Sequence, residues 1–404
     1  MAHTDTHMRP LDGVRVLELG QLIAGPFAGS ILAYFGAEVI KIEPPAKGDP
    51  LRIWRVLDEN GTSLWWRSLG RNKKSITLDL RAVEGRRLAR RLMDQADVLI
   101  ENFRPGTMEK WGLGPEELKA TNPGLIYTRI SGYGQTGPYA ARPGFASVCE
   151  GIGGFRYING FPGEAPVRPN LSLGDTLAGL HAALGILLAL MQRNRAAAGR
   201  GQVVDVAIYE AVFNVLEGVV PEYDGAGVVR EPSGSTLTGI VPTNTYLCRD
   251  GKYVVIGGNA DSIFQRLMRA AGRPDMAQDP RFADNKGRVA HEQEIDGAIS
   301  AWTKTLDSHD VLKRLEAAAV PAGPIYSVAD MLQDPHFRAR GLFEEVDVNG
   351  KPLKLPAIIP MLSETPGATT WPGPELGAHN EEIFGARLGL SAAEIQDLRD
   401  KSII

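Results

Sequence analysis

Asp175 is the carboxylate whose surroundings offer the most chemistry. It follows Leu171-Ser172-Leu173-Gly174 and opens a long apolar run. One reading is an N-cap, in which the side chain accepts a helix N–H. The other is a nucleophile. A helix N-terminus stabilises negative charge, so an aspartate held there stays ionised, as a nucleophilic carboxylate must. The two readings are compatible. Gly174 admits a substrate close to the backbone. Gly179, Ala182 and Ala183 on the helix behind let a neighbouring element pack tightly and hold the start of the helix rigid. His181 lies six residues after Asp175, a spacing that does not set the two side by side on one face. It reads as a core or interface histidine.

A second group is basic. Arg104 stands in Asn102-Phe103-Arg104-Pro105-Gly106, directly after the apolar run Val98 to Ile100. In open α/β sheets ligands bind beyond the carboxyl ends of the strands, and an arginine there holds phosphate oxygens through its planar fork. Arg71, Lys73 and Lys74 precede another strand and add positive charge. Taken singly, each also reads as a solvated surface charge; their shared placement at strand ends favours a ligand. Gly257-Gly258-Asn259 ends a later strand. It is either a plain turn or a mobile flap, since glycines permit hinge motion and close backbone approach.

Other chemistries find less support. Gly20-Gln21-Leu22-Ile23-Ala24-Gly25, with Glu43 closing the next strand, invites a dinucleotide reading. The spacing is not G-x-G-x-x-G, and the missing second glycine leaves side chains where a pyrophosphate must approach the backbone. His3, His7, His291, His309, His336 and His379 are scattered, and Cys149 and Cys248 form no CxxC, so no metal site is indicated. There is neither a G-x-S-x-G elbow nor a Walker A loop.

These residues need a scaffold, and the hydrophobic pattern supplies one. Val14 to Leu19 predicts a buried parallel strand, Ala24 to Phe35 a small-residue helix and Val39 to Ile42 the next strand, together a β-α-β unit. Ser75 to Leu80, Val98 to Ile100, Leu125 to Ile130 and Val203 to Ile208 read as further strands, and Val83 to Gln95 as a helix with an arginine-rich face. Gly132 to Gly154 reads as loops. The alternation predicts an open α/β sheet with helices on both faces. Composition shifts near Pro221, where Gly, Pro and Ser cluster to Ser235 as a linker. A smaller domain follows, and then a proline-rich tail from Pro321 with few helices. The expected divisions are 1–220, 221–330 and 331–404. At 404 residues, 43% hydrophobic and 23% charged, the chain is an ordinary globular protein. A net charge of -4 gives no broad basic field for nucleic acid or an anionic membrane. Met1 to Pro10 is polar, Leu177 to Met191 is short for a span of about 20 residues, and the two lone cysteines fit a reducing, cytoplasmic setting.

The runs Pro10-Leu11-Asp12-Gly13-Val14-Arg15-Val16-Leu17, Gly36-Ala37-Glu38-Val39-Ile40-Lys41-Ile42-Glu43, Glu101-Asn102-Phe103-Arg104-Pro105-Gly106, Gly132-Tyr133-Gly134-Gln135-Thr136-Gly137-Pro138, Gly174-Asp175 and Val320-Pro321-Ala322-Gly323-Pro324 are specific in combination. On them the chain resembles the class III CoA-transferases, the CaiB/BaiF family of formyl-CoA transferase and the carnitine CoA-transferases, from about Leu11 to the C-terminus. The resemblance implies a Rossmann-like large domain, a smaller α/β domain and a C-terminal segment returning to the first. It also implies an interlocked, ring-like homodimer. It makes Asp175 the nucleophile, working through aspartyl anhydride and aspartyl-CoA thioester intermediates. It places Arg104 near the CoA phosphates with Lys73 or Lys74 nearby, sets Gln21, Ala24 and Tyr139 along the CoA path, and gives Gly257 and Gly258 to a flap that excludes water. CoA and acyl-CoA enter as substrates, with no permanently bound cofactor. Succinyl-CoA is the implied donor and a small organic acid, a dicarboxylate among them, the acceptor. Arg156 and Arg168 are candidates to pair with a second carboxylate, beside their plainer reading as surface arginines.

Three positions depart from the family pattern. Pro44 stands where the family often has Arg after Lys-Ile-Glu, which removes one expected CoA contact. Ala140 replaces the Glu that follows the tyrosine in formyl-CoA transferase. Pro143-Gly144-Phe145-Ala146 carries no His, so the related 2-methylacyl-CoA racemase reaction lacks its second base. Racemase, a CoA-binding dimer without turnover and an NAD-dependent dehydrogenase are the alternatives.

Overall fold

The computed structural model describes residues 8–404; His3, His7 and most of the polar N-terminal segment lie outside them. The chain forms two compact units. The larger takes in the chain up to Phe155, Pro169–Glu217 and Arg338–Ile404, and the smaller is Arg156–Arg168 with Gly218–Phe337. The sequence reading leaves 156–168 with the larger unit. Hydrogen bonds explain their place: the Tyr157 hydroxyl donates to Glu231 at 2.8 Å and the Gly234 N–H to the Gly160 carbonyl at 2.8 Å.

The larger unit is built on six parallel strands: β1 (Arg15–Glu18), β2 (Glu38–Glu43), β3 (Lys73–Thr77), β4 (Val98–Glu101), β5 (Ile126–Ser131) and β6 (Val203–Ala207). Their spatial order is β3-β2-β1-β4-β5-β6. This is the doubly wound order, with its switch point between β1 and β4. Alternate residues serve opposite faces. Val16 and Val39 meet helices α1 (Ala24–Tyr34) and, further on, α4 (Leu173–Arg195). Leu17, Ile40, Ile76 and Leu99 meet α2 (Val83–Met93) and the C-terminal Ile383, Phe384 and Leu398. Gly132 to Gly154 is not all loop: α3 (Ala146–Ile152) lies inside it, and α5 (Ile208–Phe213) follows β6. The expected linker likewise holds a helix at Val219–Ala226, and the tail holds Val328–Gln333, Pro335–Ala339, Glu381–Arg387 and Ala392–Asp400. Gly218 and Gly227 bracket the first of these helices and Pro335 opens another, which masks them in the sequence.

The smaller unit has an antiparallel sheet of β7 (Thr243–Leu247), β8 (Tyr253–Gly257) and β9 (Ala322–Pro324) in that order. Helices contributing Phe264, Leu267, Ile295, Ile299, Val311 and Leu315 complete its core.

One feature of the larger unit contradicts the usual rule that charges stay outside. On the α1 face, Glu18 of β1 bridges two lysines, Lys41 at 3.0 Å and Lys73 at 2.8 Å, and all three side chains are fully buried. Lys41 also reaches Asp49 at 2.9 Å, while Glu43 is held from two sides by Arg52 at 2.7 and 2.8 Å. Three cations thus face three carboxylates, which offsets the desolvation that each ion would suffer alone. Burial opposes ionisation of Glu18, but the two ammonium groups outweigh it and hold its carboxyl below the ordinary range. Burial pulls the Lys73 ammonium down to about 8. Gly29 of α1 makes room: a Cβ there would lie 1.9 Å from Glu18 Oε2.

The C-terminal segment lies along β3. Asn72 N–H donates to the Trp371 carbonyl at 3.1 Å, Ser75 N–H to His379 Nδ1 at 3.1 Å and Thr77 N–H to Asn380 Oδ1 at 2.9 Å.

Lys73→Met and Gly29→Ala each break the buried charge set. Each is expected to cost about 3–5 kcal/mol of stability, read as a lowered denaturation midpoint. Because Lys73 is sealed from solvent, the salt dependence of CoA binding should not change with it. A second expectation concerns pH. His379 accepts a hydrogen bond at Nδ1, which requires the neutral ring, and burial holds its pKa below the ordinary 6.5. The unfolded chain therefore takes up the proton first. The contribution of His379 is complete above 6.5 and declines as pH falls below it. Urea denaturation across about pH 5 to 8 should show a shallower acid slope in His379→Gln.

Candidate active site

The loop Gly20–Ile23 leaves the carboxyl end of β1 and enters α1. Three side chains hold it, one from β2, one from the segment after β2 and one directly beyond β4. Lys41 donates to the Gly20 carbonyl at 2.6 Å. Asn102 both accepts the Gln21 N–H at 2.8 Å and donates to the Gln21 carbonyl at 2.7 Å. Asp49 accepts the Leu22 N–H at 3.1 Å. Leu22 sits at φ 65°, a backbone conformation that is costly outside glycine. The buried charge set and the Asn102 side chain therefore fix the loop at every residue from Gly20 to Leu22.

Beside this loop is a cavity of about 350 Å³, lined by Leu19, Gln21, Pro44, Pro45, Lys47, Leu78, Arg81, Phe103 and Trp111. It lies at the carboxyl ends of β1, β2, β3 and β4, where an open α/β sheet takes its ligands. Phe103 packs edge-on against Trp111 with ring centroids 5.3 Å apart. Glu101 accepts the Phe103 N–H at 2.8 Å and the Arg129 Nε–H at 2.8 Å, which sets the course of the motif. Arg104 follows, exposed, and forms no ion pair among the described residues.

Asp175 lies on the other side of α1. It is the third residue of α4, not its cap; Ser172 holds the N-cap position and makes no side-chain capping bond. The carboxylate still stands in the first turn, where the helix dipole favours its charge. Gly174 explains how the turn is positioned. A Cβ on it would lie 3.2 Å from Ile208 and 3.4 Å from Ala146, so the helix start is wedged between α3 and α5. Its N–H donates to the fully buried Glu150 at 3.2 Å. One turn on, Gly179 admits α1: an added Cβ would meet the Ala24 carbonyl oxygen at 2.8 Å and Phe27 at 3.0 Å. The Gln21–Ala24 loop and the Asp175 helix are thus packed against each other through backbone. Next to Glu150, Cys149 donates to the Gly132 carbonyl at 3.3 Å. Burial, and then the nearby charge of Asp175, push its thiol up to about 11. Around it Tyr133, Tyr139 and Tyr209 cluster, with centroids 6.1 Å and 5.9 Å from Tyr133. The Arg142 guanidinium lies 3.7 Å over the Tyr139 ring.

Several expected site residues do something else. Lys73 and Lys74 lie within β3, not before it. Lys73 is sealed against Glu18 and the Pro26 carbonyl, so it has no face to offer a phosphate. Lys74 pairs with Glu38 and Glu382 at the amino half of the sheet, the rim opposite Arg104. Arg71 donates to the Ser68 and Pro356 carbonyls. His181 bonds the Leu177 carbonyl and Asn214, which agrees with a structural histidine. Gly257 closes β8, and its N–H goes to the Pro321 carbonyl at 3.0 Å; that of Gly258 goes to the Pro242 carbonyl at 2.9 Å. A Cβ on Gly258 would lie 2.5 Å from Leu267, so close packing accounts for this glycine, and any flap motion must break both hydrogen bonds. Arg156 and Arg168 belong to the smaller unit and have partners of their own. The residues that sequence reasoning missed are Glu18, Lys41, Asp49 and Glu150. For Glu18 and Lys41 the available signal was a charge inside the apolar strands VRVLEL and VIKIE.

Asn102→Ala removes both bonds to Gln21 and leaves Asp49 in place. Amide exchange at Gln21 is expected to quicken by roughly tenfold while Leu22 stays protected, as hydrogen-exchange mass spectrometry would show. Equal loosening at both residues would mean that the charge set alone does not hold the loop.

Comparison with known proteins agrees with the resemblance drawn from the motifs. The model of CoA-transferase family III matches residues 11–380. The chain is 51% identical to succinyl-CoA–D-citramalate CoA-transferase of Chloroflexus aurantiacus, over 98% of each chain. It is 45% identical to the succinyl-CoA–L-malate CoA-transferase alpha subunit of Chloroflexus aurantiacus, over 99% of this chain and 94% of that one. Among solved structures, a CaiB/BaiF family protein from Brucella suis aligns with a TM-score of 0.82 at 37% identity, covering 94% of this chain and 99% of that one. The chain belongs to CoA-transferase family III.

Proposed function

We propose that this CoA-transferase moves CoA from succinyl-CoA to a small dicarboxylate, with Asp175 as the nucleophile. The observation that carries the reading is the placement of Asp175. It is an aspartate in the first turn of a helix whose start is wedged by α3 and α5 and backed by the clamped loop at Ala24. Such a carboxylate is preorganised and kept ionised by the helix dipole. The relatives named for citramalate and malate transfer support a hydroxy-dicarboxylate acceptor.

The chemistry balances without net proton transfer. An Asp175 oxygen attacks the thioester carbonyl, the C–S bond breaks, and CoA thiolate leaves a succinyl-aspartyl anhydride. The thiolate attacks the aspartyl carbonyl, the C–O bond breaks, and succinate departs from an aspartyl-CoA thioester. The acceptor carboxylate attacks that thioester and expels the thiolate again. The thiolate then takes the acceptor's acyl group, and Asp175 leaves as free carboxylate. Each exchange is a nucleophilic substitution at an activated acyl carbon, which divides one difficult step into easier ones. In this reading Arg104 meets CoA phosphate at the rim of the 350 Å³ cavity, and the fixed backbone from Gln21 to Ala24 guides the pantetheine toward Asp175. Tyr139 lines the same path.

A second copy of the chain is also part of the proposal. Leu180, Leu184, Leu188 and Met191 are 46%, 54%, 58% and 50% exposed along one side of α4. Their spacing makes a continuous apolar stripe, of the kind that a subunit interface covers.

The test is mass spectrometry of the protein incubated with succinyl-CoA and hydroxylamine. A hydroxamate on the peptide carrying Asp175, absent in Asp175→Ala, is the expected result. The mutant should lose roughly 10⁴-fold or more of its turnover. CoA binding without any such adduct would overturn the covalent route.

A further inference from the structure

The chemistry at Asp175 consumes one carboxyl group of each dicarboxylate and leaves the other as a spectator charge. A carboxylate brought into a closed site without a partner is expensive, so the protein must supply a cation. Most arginines of the larger unit are already occupied. Arg52 is bound to Glu43, Arg67 to Asp58 and Glu375, and Arg129 to Glu101 and Glu109. Arg104 stands beyond β4, next to Phe103 of the 350 Å³ cavity.

Arg142 is different. It forms no ion pair among the described residues, and its guanidinium is carried 3.7 Å over the half-exposed ring of Tyr139. A guanidinium seated on an aromatic face keeps its N–H edges free in the ring plane, the geometry that receives a carboxylate in two-point fashion. Its loop is tied to the Asp175 turn by short contacts. Two residues on, Gly144 packs against Tyr133 and Gly132, where an added Cβ would meet them at 3.0 and 3.1 Å, and against Cys149 Sγ at 3.4 Å. The neighbour of Cys149, Glu150, holds the Gly174 N–H directly before Asp175. The charge of Asp175 is felt at Cys149.

We propose that Arg142, seated on Tyr139, is the residue that selects dicarboxylates, by pairing with the carboxylate that does not react. This rests on the transfer reaction proposed above. The same contact serves donor and acceptor in turn, since both acyl groups react at Asp175 and both carry a second carboxylate. A planar fork is needed, so lysine replaces it only in part.

The experiment compares wild type, Arg142→Gln, Arg142→Lys and Tyr139→Leu in two reactions: succinyl-CoA with malate, and butyryl-CoA with butyrate. Equilibrium binding of CoA is measured alongside. Arg142 is exposed, so the variants should fold. Arg142→Gln is expected to lose roughly 10- to 100-fold in kcat/KM for the dicarboxylate pair, mostly through KM. Its monocarboxylate rate and CoA affinity should stay unchanged. Arg142→Lys should fall between, whereas Tyr139→Leu, which also removes a wall of the CoA path, should weaken CoA binding as well. Equal losses in both reactions, or none in either, would overturn the selecting role. A wild-type enzyme that moves no CoA between dicarboxylates overturns the transfer reading itself, and the selecting role with it.

Discussion

The larger unit depends on a balanced set of charges sealed between its sheet and its first helix. Glu18, Lys41, Lys73, Asp49, Glu43 and Arg52 come from three strands and the segment after β2, and each satisfies more than one partner. Two of them reach the loop after β1: Lys41 takes the Gly20 carbonyl, and Asp49 takes the Leu22 N–H. The strained conformation of Leu22 persists because its surroundings over-determine it. From that loop the order passes to α1, and from α1 through Gly179 to the helix of Asp175. A charge cluster far from Asp175 in sequence thereby sets the backbone packed against its helix.

The two faces of the sheet divide the work. The α1 face carries the larger charge set, the clamped loop and the helix of Asp175. The opposite face is mainly apolar, from Leu17 and Ile40 to Phe384 and Leu398, with the Arg129–Glu101 pair at its carboxyl end. Burial there supplies the hydrophobic stabilisation, at about 25 cal/mol per Å² of apolar surface removed from water. Burial on the ionic face contributes geometry, because desolvation offsets much of the Coulombic attraction.

Much of this was legible in the sequence, for reasons that can be named. Apolar runs such as VRVLEL, alternating with helices, fix a parallel sheet, and the switch point follows from the strand order. The position of Arg104 beyond β4 was readable because its motif directly follows a buried strand. Lys73 was expected beside a ligand because a lysine at a strand end looks free when its partner lies elsewhere: Glu18 is 55 residues away. α3 was hidden by the glycines that flank it. The helix start was read at Asp175, three residues too late, because an aspartate after glycine resembles a cap, while Ser172 occupies that position by backbone geometry alone. Glu150 carried no local signal, since its partner N–H belongs to a helix 24 residues later.

The contacts between β3 and residues 371–380 bear on how the chain is made. β3 ends the sheet, with β2 on one side and no strand on the other. Its outward N–H groups at Ser75 and Thr77 are taken by His379 and Asn380. His379 lies 304 residues after Ser75, so at 5–20 residues per second a nascent chain carries this uncovered strand for roughly 15 to 60 s. An open strand edge is a template for pairing with other chains. In that interval Lys74 lacks Glu382, the later of its two carboxylate partners, and its positive charge on the open strand acts as a gatekeeper against a second copy of it. The ammonium group that later ties this strand to the C-terminal segment first discourages its aggregation.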